Sequence, residues 1–278
     1  MNAADTPGRT LVIACEILFR EVCCLVAASP RVCDVRFLPK GLHDLGTERM
    51  RERLQAELDT VPAGRYSEVC LGYGLCNNGL AGLTARNVPL VIPKAHDCIT
   101  LFLGSRERYN QEFEAQPGTY WYALDYMERS DDRSTGVAMG AGTGTDIEEV
   151  YQEYVDKYGR ENADYLMEVM GAWQQHYKRA AYIDMGVGDG GQVEQQARDD
   201  AARRGWLFEK VAGDMVLLRR LLHGDWERDF LLLQPGEQLR MTYDDEVIGC
   251  AATAILQDRL DESEARARRT DTSERNGS

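Results

Sequence analysis

Apolar runs and helical repeats alternate along the first 115 residues. Residues 10–14 (TLVIA) form an unbroken apolar run, the pattern of a short strand covered on both faces. A helical pattern follows over residues 16–28, and residues 34–38 (DVRFL) read as a second strand. Beyond a Gly/His/Asp loop, Met50, Leu54 and Leu58 recur at i, i+4 and i+8, one face of an amphipathic helix. Residues 68–73 (EVCLGY) predict a third strand with a helix near 80–86, and residues 88–92 (VPLVI) a fourth with a long helix over 99–114. Repeated β-α-β-α alternation of this kind predicts a parallel sheet with crossover helices.

Over residues 117–178 the pattern changes. Two aromatic, acidic helical stretches, 146–158 and 162–178, flank a glycine-rich loop at 136–144. Tyr120, Trp121, Tyr122 and Tyr126 are expected to pack within this helical region. Alternation then resumes, with strands at 181–185, 206–211 and 229–233 and helices at 192–204 and 214–222. The expected fold is α/β, with two doubly wound parallel-sheet (Rossmann-like) halves and a helical insert between them. The divisions fall at residues 1–116, 117–179 and 180–256. The tail over 257–278 is rich in arginine and acids, has little to bury, and is expected to be disordered.

Composition and charge narrow the function. At 278 residues and 44% hydrophobic the chain can build a sizeable core, and no apolar run approaches the roughly 20 residues of a membrane span. Residues 1–10 carry no apolar stretch of the secretory kind, so no membrane partner and a cytoplasmic location are expected. The net charge is −14, while residues 258–278 nearly balance with six acids and five arginines. The acidity therefore belongs to the folded body, which repels phosphate backbones, and no nucleic-acid partner is expected. The eight cysteines include no CxxC pair and read as reduced thiols.

In an open parallel sheet, ligands bind beyond the carboxyl ends of the strands. Cys15 and Glu16 follow the first strand, His43 and Asp44 the second, Cys76, Asn77 and Asn78 the third, and His96, Asp97 and Cys98 the fourth. Five of the chain's 8 Cys and 4 His fall in these loops, where composition alone would place about one. Three thiolates with one or two imidazoles suit zinc, or an iron–sulfur cluster with an open iron. Cys15, Cys76 and Cys98, completed by His43 or His96, are the expected metal ligands, with Glu16 and Asp97 as orienting or acid/base groups. Packing of inert thiols is the alternative. Cys23, Cys24, Cys33, Cys70 and Cys250 are expected to be core residues.

Gly186, Gly188 and Gly191 fit G-x-G-x-x-G between a strand and a helix, with Glu209 at a suitable distance for a ribose-binding acid. A dinucleotide, a small anion or substrate carboxylate, and a plain tight turn are all compatible with that pattern. No P-loop, GxSxG elbow or HExxH occurs, which removes three common hydrolase chemistries.

Five segments carry a family resemblance: IACEILFREV (13–22), FLPKGLHDLG (37–46), GYGLCNNGL (72–80), IPKAHDCITLFLGSRERY (92–109) and YVDKYGRENADYLMEVMGAW (154–173). They resemble a family known as domain of unknown function 1638. The resemblance implies a companion of corrinoid-dependent methyl-transfer systems, with a small-molecule substrate and a corrinoid protein or methyltransferase as partner. It brings no established catalytic residue. The functional expectation is a zinc–thiolate protein of corrinoid-linked one-carbon metabolism. The alternatives are an iron–sulfur redox enzyme and a non-enzymatic metal- or corrinoid-binding accessory module.

Overall fold

The computed structural model describes residues 8–76, 78–129, 155, 159–160, 177–242, 244 and 246–252, apart from the side chains of His43 and Asp44. Strand β1 (Thr10–Cys15) is buried at every position because β2 (Cys33–Leu38) and β3 (Glu68–Gly72) flank it, both parallel to it. β4 (Leu90–Pro93) extends the sheet in parallel beside β3. The order is β2-β1-β3-β4, so the chain reverses its direction of travel at β1. In such a sheet the crevice opens at the carboxyl ends of β1 and β3.

Between β1 and β2 the chain runs through a 3-10 turn (Glu16–Leu18) into α1 (Phe19–Ala27). α1 buries Glu21, Val22 and Leu25. A second 3-10 turn (Lys40–Leu45) leads from β2 into α2 (Thr47–Asp59), which buries Met50, Leu54 and Leu58 as the i, i+4 spacing requires. The predicted helix near 80–86 is instead a run of turns, and Thr84 bridges to Gln238. The predicted helix over 99–114 is two helices, α3 (Cys98–Leu103) and α4 (Arg106–Ala115). Gly104 breaks it at φ 80°, and Ser105 caps the second piece by accepting from the Arg108 N–H.

Residues 119–123, assigned from sequence to the helical insert, form a strand, β5 (Thr119–Ala123), followed by α5 (Leu124–Glu128). β5 pairs in parallel with β6 (Arg179–Asp184), and β6 with β7 (Leu207–Ala212), through the crossover helix α6 (Gly191–Arg204). Tyr120, Trp121 and Tyr122 alternate across this second sheet. Tyr120 and Tyr122 pack under Val193, Ala197 and Ala201 of α6, while Trp121 joins the main core. The helical stretches expected at 146–158 and 162–178, the loop at 136–144 and the tail lie largely or wholly outside the described residues.

After β7, α7 (Val216–His223) packs on α1 and over β3 and β4. The chain then returns to the first sheet: β8 (Phe230–Leu233) pairs antiparallel with β4, and a hairpin of β9 (Glu237–Met241) and β10 (Ile248–Ala252) follows. The first sheet is thus completed by residues far downstream of 116. One core joins both sheets, since Trp121, Ala123, Ala181, Ile183 and Val211 pack into the same cluster as β1, β3 and β4.

Three cysteines expected in the core are exposed. Cys23 and Cys24 lie on the side of α1 opposite Val22 and Leu25, where the helical period turns them outward, and Cys250 on the hairpin is exposed as well. Cys70 is buried in β3, and Cys33 is half-buried.

Candidate functional site at the strand ends

The carboxyl edges of the two sheets meet. Asp125, at the start of α5, accepts from the Arg20 backbone N–H at 2.8 Å and from its guanidinium, so it caps α1 from 105 residues away. The Asp214 N–H, beyond β7, donates to the Phe102 carbonyl of α3 at 2.8 Å. The Lys40 Nζ, beyond β2, donates to the Tyr126 carbonyl at 3.4 Å and sits 4.2 Å from the Tyr126 ring centre. Gly188 lies so close to Arg20 and Leu124 that a β-carbon there would come within 2.8 Å of the Arg20 Nε.

Three thiols lie at this edge. Cys15 ends β1, Cys76 lies in the turn after β3, and Cys98 opens α3; all three are buried. Nearby backbone amides favour the thiolate form of each sulfur: Ile17 for Cys15, Gly74 and Cys98 for Cys76, and its own amide for Cys98. The buried Tyr73 hydroxyl is near enough for Cys15 to act on it electrostatically. The three sulfurs act electrostatically on one another, and burial dominates their acidity. Cys15 is pushed up to about 12, with Tyr73 and Lys40 pulling the other way. Burial drives Cys76 and Cys98 upward too, reinforced for both by the Asp97 carboxylate. These thiols stay protonated at neutral pH unless something replaces their protons.

Backbone geometry holds the turns together. The Leu75 and Cys76 amides donate to the Ala95 and His96 carbonyls at 2.8 and 2.9 Å, stitching the turn after β3 to the loop after β4. This approach needs Gly74, where a β-carbon would lie 2.6 Å from the Asp97 Cα. Cys76 adopts φ 46° and Asn78 φ 64°, a left-handed pair that costs a cysteine free energy.

The acids at this edge are already engaged. Asp97 caps α3, accepting from the Ile99 and Thr100 amides at 2.9 and 3.3 Å and from the Tyr109 hydroxyl at 3.2 Å. Burial raises its pKa against the pull of those bonds. Glu16 accepts from the Lys40 amide at 2.7 Å and lies 4.0 Å from Arg129. His96 is exposed and stacks on Tyr109 with ring centres 5.4 Å apart. Asn78 is exposed, and the His43 side chain and Asn77 lie outside the described residues. Among the described residues no three His, Cys, Asp or Glu side chains close on one point as a metal cage.

The second sheet presents its glycine loop at the same edge. Gly186 and Gly188 have positive φ, and the Gly186 and Gly191 amides donate to Asp184 and Asp189. Lys210 bridges Asp184 and Glu194, each at 2.9 Å. The start of α6 is thus ringed by carboxylates, which disfavour an anion. Glu209 pairs with Arg179 at 2.9 Å, at the end of the sheet where β6 begins and away from the glycine loop.

The family match agrees with these segments. Residues 37–222 match a family described as a protein of unknown function, DUF1638. The chain belongs to the DUF1638 family. The matched span takes in the Lys40, Cys76 and Cys98 loops, α3, α4, the second sheet and most of α7; β1 and Cys15 lie before it. No curated protein and no solved structure matches the chain.

Sequence reasoning missed Tyr73, Lys40, Tyr109 and the Arg20–Asp125 pair. Lys40 had a findable signal, because Pro-Lys ends both the second and the fourth strand, as Pro39-Lys40 and Pro93-Lys94. The Arg20–Asp125 pair has no local signal.

Proposed function

We propose that this DUF1638 protein holds a thiophilic metal ion, zinc in the first instance, on Cys15, Cys76 and Cys98, and serves corrinoid-linked methyl transfer. The observation that carries the reading is the placement of three buried thiols in three strand-end loops beside the β1–β3 crevice, near enough to act on one another electrostatically. The donor set suits zinc, with His43 or His96 as the fourth ligand. Bound zinc supplies a Lewis acid that holds a thiolate or a substrate thiol deprotonated at neutral pH. The chain's own part is to bury the sulfurs and to fix the loops through Asp97 and Gly74.

In this reading the two sheets are Rossmann-like, with the small-molecule substrate between their carboxyl edges. Gly186, Gly188 and Gly191 form its far wall in this reading, and Asn78 lies on the near side. The carboxylates around that wall favour a neutral or cationic substrate. The corrinoid protein or methyltransferase partner rests on the family resemblance of the motifs. A cytoplasmic setting suits eight cysteines with no disulfide among them. Among the described residues no helix is long and apolar enough to cross a membrane.

The test is metal and acid-labile sulfide content of protein purified without oxygen, for the wild type and for Cys15→Ala, Cys76→Ala and Cys98→Ala. About one zinc per chain, lost in each variant, is the expected result. Iron with sulfide would transfer the same ligands to a redox cluster. No metal in the wild type would overturn the reading and return these thiols to the core.

A further inference from the structure

Glu21 is a buried carboxyl group at the junction of the two sheets. It lies in the first turn of α1, and one of its oxygens is buried with no hydrogen-bond partner. Asp125, also buried, reaches across from α5 to accept the amide of Arg20, the residue beside Glu21, at 2.8 Å. Two carboxyl groups from distant parts of the chain thus meet at one helix end. The cations around them are already engaged. Arg20 pairs with Asp125 and Glu128, and Arg129 with Asp125 and Glu16, so three carboxylates outnumber two guanidinium groups. Lys40 is held on the Tyr126 ring and carbonyl, and Asp189 of the glycine loop accepts the Gly191 amide. α7, which also packs on α1, brings Arg219, Arg220 and His223. Arg219 is exposed, Arg220 is tied to Asp225 and Asp229, and the His223 Nε2 is buried without a partner. Of all these groups, Asp125 and Arg20 are the ones that act on Glu21.

We propose that Glu21 makes the α1–α5 junction a pH-sensitive latch: protonated, it leaves Asp125 and α5 docked on α1; ionised, it drives them apart and loosens the carboxyl edge between the two sheets. An ionised Glu21 in the closed junction is a buried charge, short of one hydrogen bond and beside a like charge, and such a charge is costly. Opening relieves that cost by admitting water and separating Glu21 from Asp125. The step is the loss of one proton from Glu21 to solvent, and no other covalent bond changes. Leu124 of α5 and Arg20 of α1 both lie against Gly188, so parting α1 from α5 also frees the glycine loop of the second sheet. Burial holds Glu21 at about 7 in the closed junction, against the usual glutamate value in the open one. The latch is therefore tightest in mild acid and loosens as pH rises through about 7. It needs no ligand in the crevice and stands apart from the metal reading.

The experiment is hydrogen exchange of the full-length chain between pH 6 and pH 8, corrected for the intrinsic pH dependence of amide exchange, wild type against Glu21→Gln. Amides of residues 19–22 and 124–128 should exchange faster than those of β1, which await global unfolding, by a factor of about ten or more. Their opening in the wild type should increase about tenfold from pH 6 to pH 8, as follows from the two titration points. Glu21→Gln keeps the shape without the charge and should make that opening insensitive to pH. A junction that exchanges only as fast as β1 would show that the sheets part only on global unfolding, and would overturn the latch. So would a wild-type opening that does not change with pH, or one that changes equally in Glu21→Gln. Should Glu21→Gln fail to fold, the two wild-type comparisons decide the proposal by themselves.

Discussion

At the scale of single residues, glycines of one chemical type do different work. A β-carbon at position 74 would lie 2.6–2.8 Å from three backbone atoms of Asp97, and backbone cannot swing aside. Gly186 has φ 69° but open space around it. Gly74→Ala should therefore cost about 2–3 kcal/mol through overpacking. Gly186→Ala should cost about 1 kcal/mol from the backbone conformation alone. Urea unfolding of the two variants measures the contrast, and equal losses would refute the close approach of the two loops. The thiols show the same dependence on surroundings. Sequence places Cys15, Cys76 and Cys98 at strand ends, but only the fold makes them buried and mutually interacting, while Cys23 and Cys24 on α1 face outward.

At the scale of elements, what sequence resolves depends on where each element finds its partner. β1, α2 and β3 are legible because continuous burial and i, i+4 spacing are local patterns. β5 is not, since five residues, TYWYA, suit strand or helix until β6 pairs with them from far downstream, Thr119 with Arg179. α1 shows the same limit at its N-terminus. It has no side-chain cap of its own; Asp125 supplies one from α5 while also holding Arg20 and Arg129. Removing that carboxylate strips the cap and leaves two guanidinium groups without it. Asp125→Ala should lower stability by about 1–2 kcal/mol, the cost of losing a helix cap with its charge-assisted hydrogen bonds. Thermal unfolding checks this, and a loss under about 0.5 kcal/mol would place the Asp125 contacts among weak surface pairs.

For the whole molecule, one buried acid ties stability to pH. Glu21 is 3% exposed on α1, with one carboxylate oxygen lacking a hydrogen-bond partner, and burial pushes its pKa up to about 7. Asp125 raises it further, while Arg20 opposes. The unfolded chain releases this proton near the usual glutamate value, so between that value and about 7 the folded state binds the extra proton. Its contribution is complete below the unfolded pKa and is lost as pH rises through about 7. The change amounts to at most about 3 kcal/mol. Glu21→Gln should flatten the fall of stability between pH 5 and 8, and an unchanged profile would show that Glu21 is ionised in the folded state.

Sequence alone determined that the chain is α/β with parallel strands, that its chemistry-bearing residues gather in strand-end loops, and which family those loops belong to. Each of these rests on near-neighbour pattern: apolar runs, helical spacing and contiguous motifs. Tertiary structure decided the rest. It set the strand order that opens a crevice at β1 and β3, the return of β8 to the first sheet, and the meeting of both sheets' carboxyl edges through Arg20, Asp125, Lys40 and Tyr126. Those pairings join residues from tens to more than a hundred positions apart. Their free energy comes from burial and charge that exist only once the chain has closed on itself.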